Sequence, residues 1–378
     1  MTTALIRREP VLNRQQAMTA SRLIVHAESC AQAAAALTAV GDSWPGARSV
    51  FVALVGCLPD KDLLAWQPPE NAFLEIPAAG LAAPATQELV AELGAAGQPL
   101  CLSGYVPGMT LPADAPFRFL LAHGLSDKQL RDAPGLTLAT GLANLAAFRQ
   151  ATEAGYGGAA GWFFLHGRPI SDKLNPSHAQ IVRVLNLVRR NAEIKEIEAA
   201  LKQDVALSYK LLRYINSAGF GLSCEITSFR HAVTMLGYDK LNKWLSLLLV
   251  TASRDPAAPA LMQTAIARGR LMESLGRDFF DRSLLDNLFI AGAFSLLDVV
   301  LGSRMDAVLS EMHLPEAISD ALLRHEGIYA GLLELALACE EADTATLLRK
   351  AEEVGVSVGK LNHAQIEALT FADSLEVM

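Results

Sequence analysis

The sequence predicts an α/β domain over residues 1–172 followed by an all-α domain over residues 173–378. Three observations carry that prediction. In the first half, short apolar runs alternate with helical stretches, the pattern of a parallel sheet covered by helices. From about Ser177 onward, apolar residues recur at helical spacing instead. Between the halves, Pro169–Asn175 and the proline after it interrupt both patterns with polar residues, which marks a linker.

The strand candidates are Leu23–Val25, Val50–Val55, Phe73–Ile76, Leu100–Leu102, Phe117–Leu121, Leu136–Ala139 and Trp162–Leu165. Helices are expected between several of them, at Cys30–Val40, Pro84–Ala96 and Leu142–Ala154. About seven strands favour a barrel or partial barrel over a small open sheet. The glycine-rich segment Gly155–Gly161 precedes a strand candidate, whereas a dinucleotide-binding loop lies between strand and helix. It is expected to be a flexible turn at the barrel end.

In the second half, Ile181, Val184, Leu185 and Val188 share one helix face. The stretch Ile197–Gly237 then organises the domain. Leu207, Leu211, Tyr214 and Ile215 form an apolar stripe, and Ser217, Gly219 and Gly221 end that helix. Thr227 or Ser228 caps the next, whose apolar face is Phe229, Ala232, Val233 and Leu236. Gly237 closes it, and Asp239 caps a third carrying Leu241, Trp244, Leu245 and Leu248. Three such helices with short turns make a compact bundle. Arg254–Pro259 reads as a loop. Helices resume at Leu261–Gly276, Leu284–Leu301, Pro315–His325, Tyr329–Glu340, Thr344–Val354 and His363–Glu376.

Composition excludes several classes. Half of the 378 residues are apolar and 19% are charged, which describes a packed protein and not a disordered one. The net charge of -8 leaves no general basic footprint, so no nucleic-acid partner is expected. The cysteines Cys30, Cys57, Cys101, Cys224 and Cys339 are scattered without metal-ligand or redox spacing and read as small buried hydrophobes. The N-terminus has no secretory pattern, and the apolar run Leu245–Thr251 is too short to span a bilayer. A cytoplasmic protein that does not engage membranes is expected. Serine-hydrolase, phosphate-loop and Cys-x-x-Cys motifs are missing from the sequence.

The run QDVALSYKLLRYINSAGFGL, followed by ITSFRHAVTMLG, resembles the HDOD domain, a helical relative of the HD phosphohydrolases. Val205 stands where that pattern usually has proline. The resemblance extends from about Asn175 to the C-terminus. It implies a signalling or scaffolding module without the His and Asp metal ligands of true HD hydrolases. No adjacent His-Asp pair occurs in the chain, and His178, His231, His313, His325 and His363 read as structural or surface residues. His325 is expected at a helix C-terminus, where the dipole favours it. Asn216-Ser217-Ala218 reads as a chain reversal, with contact to a partner or ligand as the other possibility.

The first half carries a second resemblance. REPVLNRQQAM at Arg8–Met18, the block from Phe73 to Tyr105, and the closing GWFFLHGRP are similar to a shortened EAL-type domain. That family has a TIM-barrel-like fold, and its active members hydrolyse cyclic di-GMP. Such a site needs several carboxylates, an Asn and a Gln, which hold divalent metals and activate water. Carried over residue by residue, only Glu75 is kept. The other positions fall on Arg22, Ala53, Ser103, Gly104, Thr140 and Ala160. One carboxylate cannot hold two hard cations, and Arg22 puts a positive charge where a metal should sit. Glu75 then reads as a strand-end carboxylate capping backbone N–H groups. A milder possibility is that Arg22, Ser103 and Thr140 meet a phosphate at the strand ends.

The two resemblances imply a degenerate EAL-type barrel followed by an HDOD helical bundle. The expected function is a non-catalytic signal-transduction adaptor acting by protein–protein interaction in or near cyclic di-GMP signalling, of the motility or biofilm type. Its expected partners are signalling proteins, and binding of cyclic di-GMP is not expected. No catalytic residue, cofactor or metal is assigned, and the chain is expected not to be an enzyme. The alternative is a cyclic di-GMP phosphodiesterase or an HD-type metal-dependent phosphohydrolase. A nucleotide receptor is a third class.

Overall fold

The computed structural model describes residues 4–111, 117–124, 130, 133–167, 170–171, 176–202, 226, 228–251 and 256–375. The chain divides into two compact units, Met1–Gly167 with Ser357–Ile366, and Arg168–Val356 with Glu367–Met378.

In the first unit the elements run β1 (Leu5–Asn13), β2 (Met18–His26), α1 (Cys30–Ala39), β3 (Ser49–Val55), β4 (Ala72–Pro77) and α2 (Pro84–Ala95). They continue with β5 (Leu100–Ser103), β6 (Phe117–His123), β7 (Leu136–Thr140), α3 (Leu145–Glu153) and β8 (Gly158–Ala160). β2 through β8 pair in parallel, and β1 pairs antiparallel with both β2 and β8. The result is a closed barrel of eight strands, consistent with a TIM-like barrel. Ser29 starts α1 by accepting from the Gln32 N–H at 3.3 Å, and Asn144 starts α3 by accepting from the Ala147 N–H at 3.0 Å.

Strand alternation sorts the apolar residues into two layers. Leu23, Val25, Val50, Val52, Leu74 and Ile76 pack with Ala33 and Leu37 of α1 and Leu89 and Leu93 of α2. Val11, Ala20, Phe51, Phe73, Cys101, Leu121, Leu138 and Ala160 fill the barrel itself, with Phe119 against them. Phe51, Phe73 and Phe119 form a mutual ring cluster, with centroids 4.9 to 5.8 Å apart.

Two expectations are corrected here. Trp162–Leu165 is not a strand; Phe163–Leu165 is a short 3-10 turn, its Phe163 stacked on Phe148 at 4.7 Å. The closing strand is Gly158–Ala160, inside the glycine-rich segment expected to be a flexible turn. Glycine is needed there because β8 lies close against β1. A Cβ on Gly158 would stand 2.0 Å from the Leu12 carbonyl oxygen. The strand β1 had no counterpart among the sequence candidates.

The second unit is helical. Its elements are α4 (Pro176–Arg189), α5 (Ile194–Lys202), α6 (Phe229–Thr251), α7 (Ala258–Gly276), α8 (Arg282–Phe294) and α9 (Leu297–Leu301). α10 (Met305–Ser310), α11 (Glu316–Arg324), α12 (Ala330–Ala338), α13 (Thr344–Val354) and α14 (Val358–Ser374) follow. The helix expected at Leu284–Leu301 is two, α8 and α9, and the loop expected at Arg254–Pro259 already gives way to α7 at Ala258. Ser228 caps α6 through the His231 N–H, and Phe229, Ala232 and Val233 are buried as expected. Gly237, at φ 74° and ψ 170°, breaks α6 where a helix end was read. The positions around Leu207–Gly221, together with Cys224, Thr227 and the linker residues 172–175, lie outside the described residues. So do the side chains of Asp239, Trp244, Leu245 and Leu248.

α7 and α8 cross closely because both carry glycine at the crossing. A Cβ on Gly292 would meet the Arg268 carbonyl oxygen at 2.8 Å, and one on Gly269 the Phe289 carbonyl oxygen at 2.7 Å. Buried Arg268 makes a two-point pair with Glu340, at 2.7 and 2.6 Å, and donates to Ser295 Oγ at 2.8 Å. α14 is divided between the units at Ile366. Its first part serves β1, where Asn362 accepts from the Ile6 N–H at 2.8 Å and donates to the Ala4 carbonyl at 2.7 Å. Gln365 donates to the Ile6 carbonyl at 2.9 Å.

Candidate functional site

Seven consecutive strands running parallel bring their carboxyl ends to one end of the barrel, the end where such folds bind ligands. The inward position after Phe73 on β4 is Glu75, only 2% exposed. Arg22 reaches it from β2 and grips both of its oxygens, Nε to Oε1 at 2.6 Å and Nη2 to Oε2 at 2.8 Å. The third contact of Arg22 is Nη1 to Glu9 Oε2 at 3.0 Å. Glu9 lies opposite Arg22 in the β1–β2 register. Burial opposes the charge on Arg22, but Glu75 and then Glu9 outweigh it and hold the guanidinium charged, above its ordinary range. Cys101, paired with Glu75 in the β4–β5 register, has its thiol pushed well up, by burial first and by the Glu75 carboxylate second.

Among the positions singled out in the sequence, this arrangement joins Arg22 to Glu75. Ala53 is buried on β3, and Ala160 on β8 belongs to the apolar filling beside Val11. Ser103 ends β5, and Gly104 turns out of it at φ 73°. Thr140 ends β7 with its hydroxyl 3.4 Å from the Ala122 carbonyl oxygen. The expectation that Glu75 caps backbone N–H groups is corrected, because the Arg22 guanidinium takes both oxygens. Glu9 was missed. Its signal was alternation with Val11 along a strand whose charged residues hid it.

The cluster sets two carboxylates against one guanidinium in a mostly buried setting. A phosphate would add a third negative group there, which disfavours the phosphate contact considered for Arg22. A cation at Glu75 would meet the charge of Arg22 directly. The chemistry this geometry performs as it stands is to lock β1, β2 and β4 together through a two-point guanidinium–carboxylate pair.

In the helical unit, His325 takes the left-handed position that ends α11, at φ 55°, as read from the sequence. His363 is exposed on α14, and His231 is partly buried at the start of α6. Cys30, Cys101 and Cys339 are buried free thiols, and burial pushes Cys30 up to about 12. Among the described residues, no group of three or more His, Cys, Asp or Glu is arranged to hold a metal, and no helix is long and apolar enough to cross a membrane.

Residues 174–325 are an HDOD domain, because the HDOD family model matches them. The chain is 27% identical over 230 residues to the cyclic di-GMP phosphodiesterase CdgJ of Vibrio cholerae, a match covering 60% of this chain and 53% of that protein. It is 26% identical over 235 residues to the uncharacterized protein YuxH of Bacillus subtilis, covering 60% and 56%. The chain thus spans about half the length of the curated relatives it matches. A solved structure of Klebsiella pneumoniae BlrP1, in a manganese and cyclic di-GMP complex, is 13% identical with a TM-score of 0.35, covering 43% of this chain and 55% of that one. That likeness is too slight to bear on fold or chemistry. Of these two curated relatives, the Vibrio cholerae protein is the one named for cyclic di-GMP. It also corrects one expectation: that the chain is not an enzyme does not stand, because the Vibrio cholerae relative is named as one.

Proposed function

We propose that this chain is a signal-transduction regulator that works in or beside cyclic di-GMP pathways by binding other signalling proteins. In this reading residues 173–378 are the docking module, and residues 1–172 are an EAL-type barrel whose polar end is rebuilt around arginine. The observation that carries it is the Arg22–Glu75 pair, extended to Glu9. It supports a barrel end spent on holding strands together, in a chain whose residues 174–325 are an HDOD domain.

The test is affinity capture from the native cell with the full chain as bait, read by proteomics. Reproducible enrichment of a cyclic di-GMP synthesising or degrading enzyme, a sensor kinase or a motility regulator is expected. Capture of no signalling protein would sink this reading.

The name of the Vibrio cholerae relative favours a second reading, hydrolysis of cyclic di-GMP. It predicts release of a linear dinucleotide by the purified chain with magnesium or manganese, abolished by Glu75→Gln. Chromatography of the products decides it.

A further inference from the structure

A cleft of about 420 Å³ opens in the helical unit, and its described lining residues all belong to that unit. That volume suits a small organic ligand of nucleotide size. Among the described residues its lining holds no carboxylate, in a chain with 40 acidic residues against 32 basic ones. Arg189, at the end of α4, brings a guanidinium to it. The amide side chains Asn191, Asn242 and Asn287 converge on the same space with Tyr238 and His313, and Ile290 and Ile318 supply apolar wall.

Arg189 has no acidic partner among the described residues. It donates from Nε to Asn242 Oδ1 at 2.8 Å and from Nη1 to the His313 carbonyl at 3.2 Å, and its guanidinium lies over the Phe294 ring at 5.5 Å. Its Nη2 is buried with no hydrogen-bond partner. Compare Arg22 and Arg268, each of which meets a carboxylate at two points. Burial pushes the Arg189 guanidinium down to about 10.

The walls are fixed in advance. Asn186, one turn before Arg189, donates to the Glu311 carbonyl at 2.7 Å and accepts from the His313 N–H at 3.0 Å, which pins the 311–313 segment to α4. Tyr238 donates its hydroxyl to the Ala192 carbonyl at 2.9 Å. Asn287 makes no side-chain hydrogen bond among the described residues, which leaves its amide for a ligand.

We propose that this cleft binds a small molecule of nucleotide size through a compact oxyanion, a phosphate or a carboxylate, seated against Arg189. Guanidinium donors match such an oxyanion in charge and in planar geometry, and the amides around it hydrogen-bond the rest of the molecule. The proposal is independent of how the barrel is read.

The experiment is calorimetric titration of the full chain, at matched ionic strength, with GMP, inorganic phosphate and succinate as probes. At least one probe is expected to bind with a dissociation constant between roughly 1 μM and 1 mM. GMP or phosphate binding identifies phosphate as the source of the oxyanion; binding of succinate alone identifies carboxylate. Arg189→Gln should weaken the binding at least about 10-fold, with Arg189→Lys in between. Asn287→Ala, at a partly exposed position, gives a second reading about 3-fold or more weaker, should the arginine variant fail to fold. No binding by any probe up to roughly 10 mM overturns the proposal. So does binding that Arg189→Gln and Asn287→Ala both leave unchanged.

Discussion

Arg22 and Glu75 are tied to each other's presence. With the Glu75 side chain at 1% exposure, loss of the guanidinium strands a carboxylate where water does not reach it. Arg22→Met is expected to destabilise the chain by about 3–5 kcal/mol, read as a fall in the denaturant midpoint. Arg22→Met combined with Glu75→Leu should recover most of that loss, since an apolar pair carries no stranded charge. A double variant as weak as the single one would show that the pair is not what holds this end of the barrel. A second residue sets a pH dependence. Burial first and the Arg7 charge second hold the His26 imidazole below its usual 6.5. The folded chain therefore takes up this proton less readily than the unfolded one. The contribution of neutral His26 is present above the unfolded value and falls away as pH drops below it. His26→Gln should flatten the slope of stability against pH between about 7 and 5, measured by denaturation at a series of pH values.

Among the elements, β8 is the most constrained by its neighbours. Gly158→Val would drive side-chain atoms into the Leu12 backbone of β1, which cannot give way without opening the barrel. A loss of about 3 kcal/mol or more is expected, visible as a lowered melting temperature and weaker near-ultraviolet dichroism. The same strand shows why the sequence was only partly legible. β3, β4 and β5 announce themselves by apolar runs such as Val50–Val55, because those side chains are buried on both faces. β8 is Gly-Ala-Ala, held by closeness and not by side chains, so no run marks it. β1 sets Arg7, Arg8 and Glu9 in a row between its apolar residues, and its inward charge makes sense only once Arg22 stands opposite. Trp162–Leu165 misled for the converse reason: its apolar residues pack in a turn, Phe163 against Phe148. Helices fared better, α13 falling at Thr344–Val354 as read, since helical spacing is visible within one segment. The candidate site followed suit. Arg22 and Glu75 were found by position along a resemblance, while Glu9 needed a strand pairing that no local pattern contains.

For the whole molecule, the salient fact is that residues 357–366 group with the barrel formed by the first 167. Asn362 satisfies both the Ile6 N–H and the Ala4 carbonyl, so Asn362→Leu leaves two buried backbone groups without partners. A loss of about 2 kcal/mol is expected. Hydrogen exchange should localise it, with the amide of Ile6 losing protection while amides of α7 keep theirs. If α7 loses protection equally and Ile6 does not stand out, the assignment of these bonds to the barrel fails. The bond from Ile6 to Asn362 joins residues 356 apart in sequence. A ribosome adding about 5–20 residues per second needs roughly 20–70 s to cover that distance. Through that interval the first strand emerges, pairs with its hairpin partner and waits with its outermost peptide groups facing water. The barrel is begun 356 residues before the side chain that completes this strand is made. Stalled or prematurely terminated chains will therefore carry an unfinished edge, the feature by which quality-control chaperones and proteases tell nascent protein from finished protein.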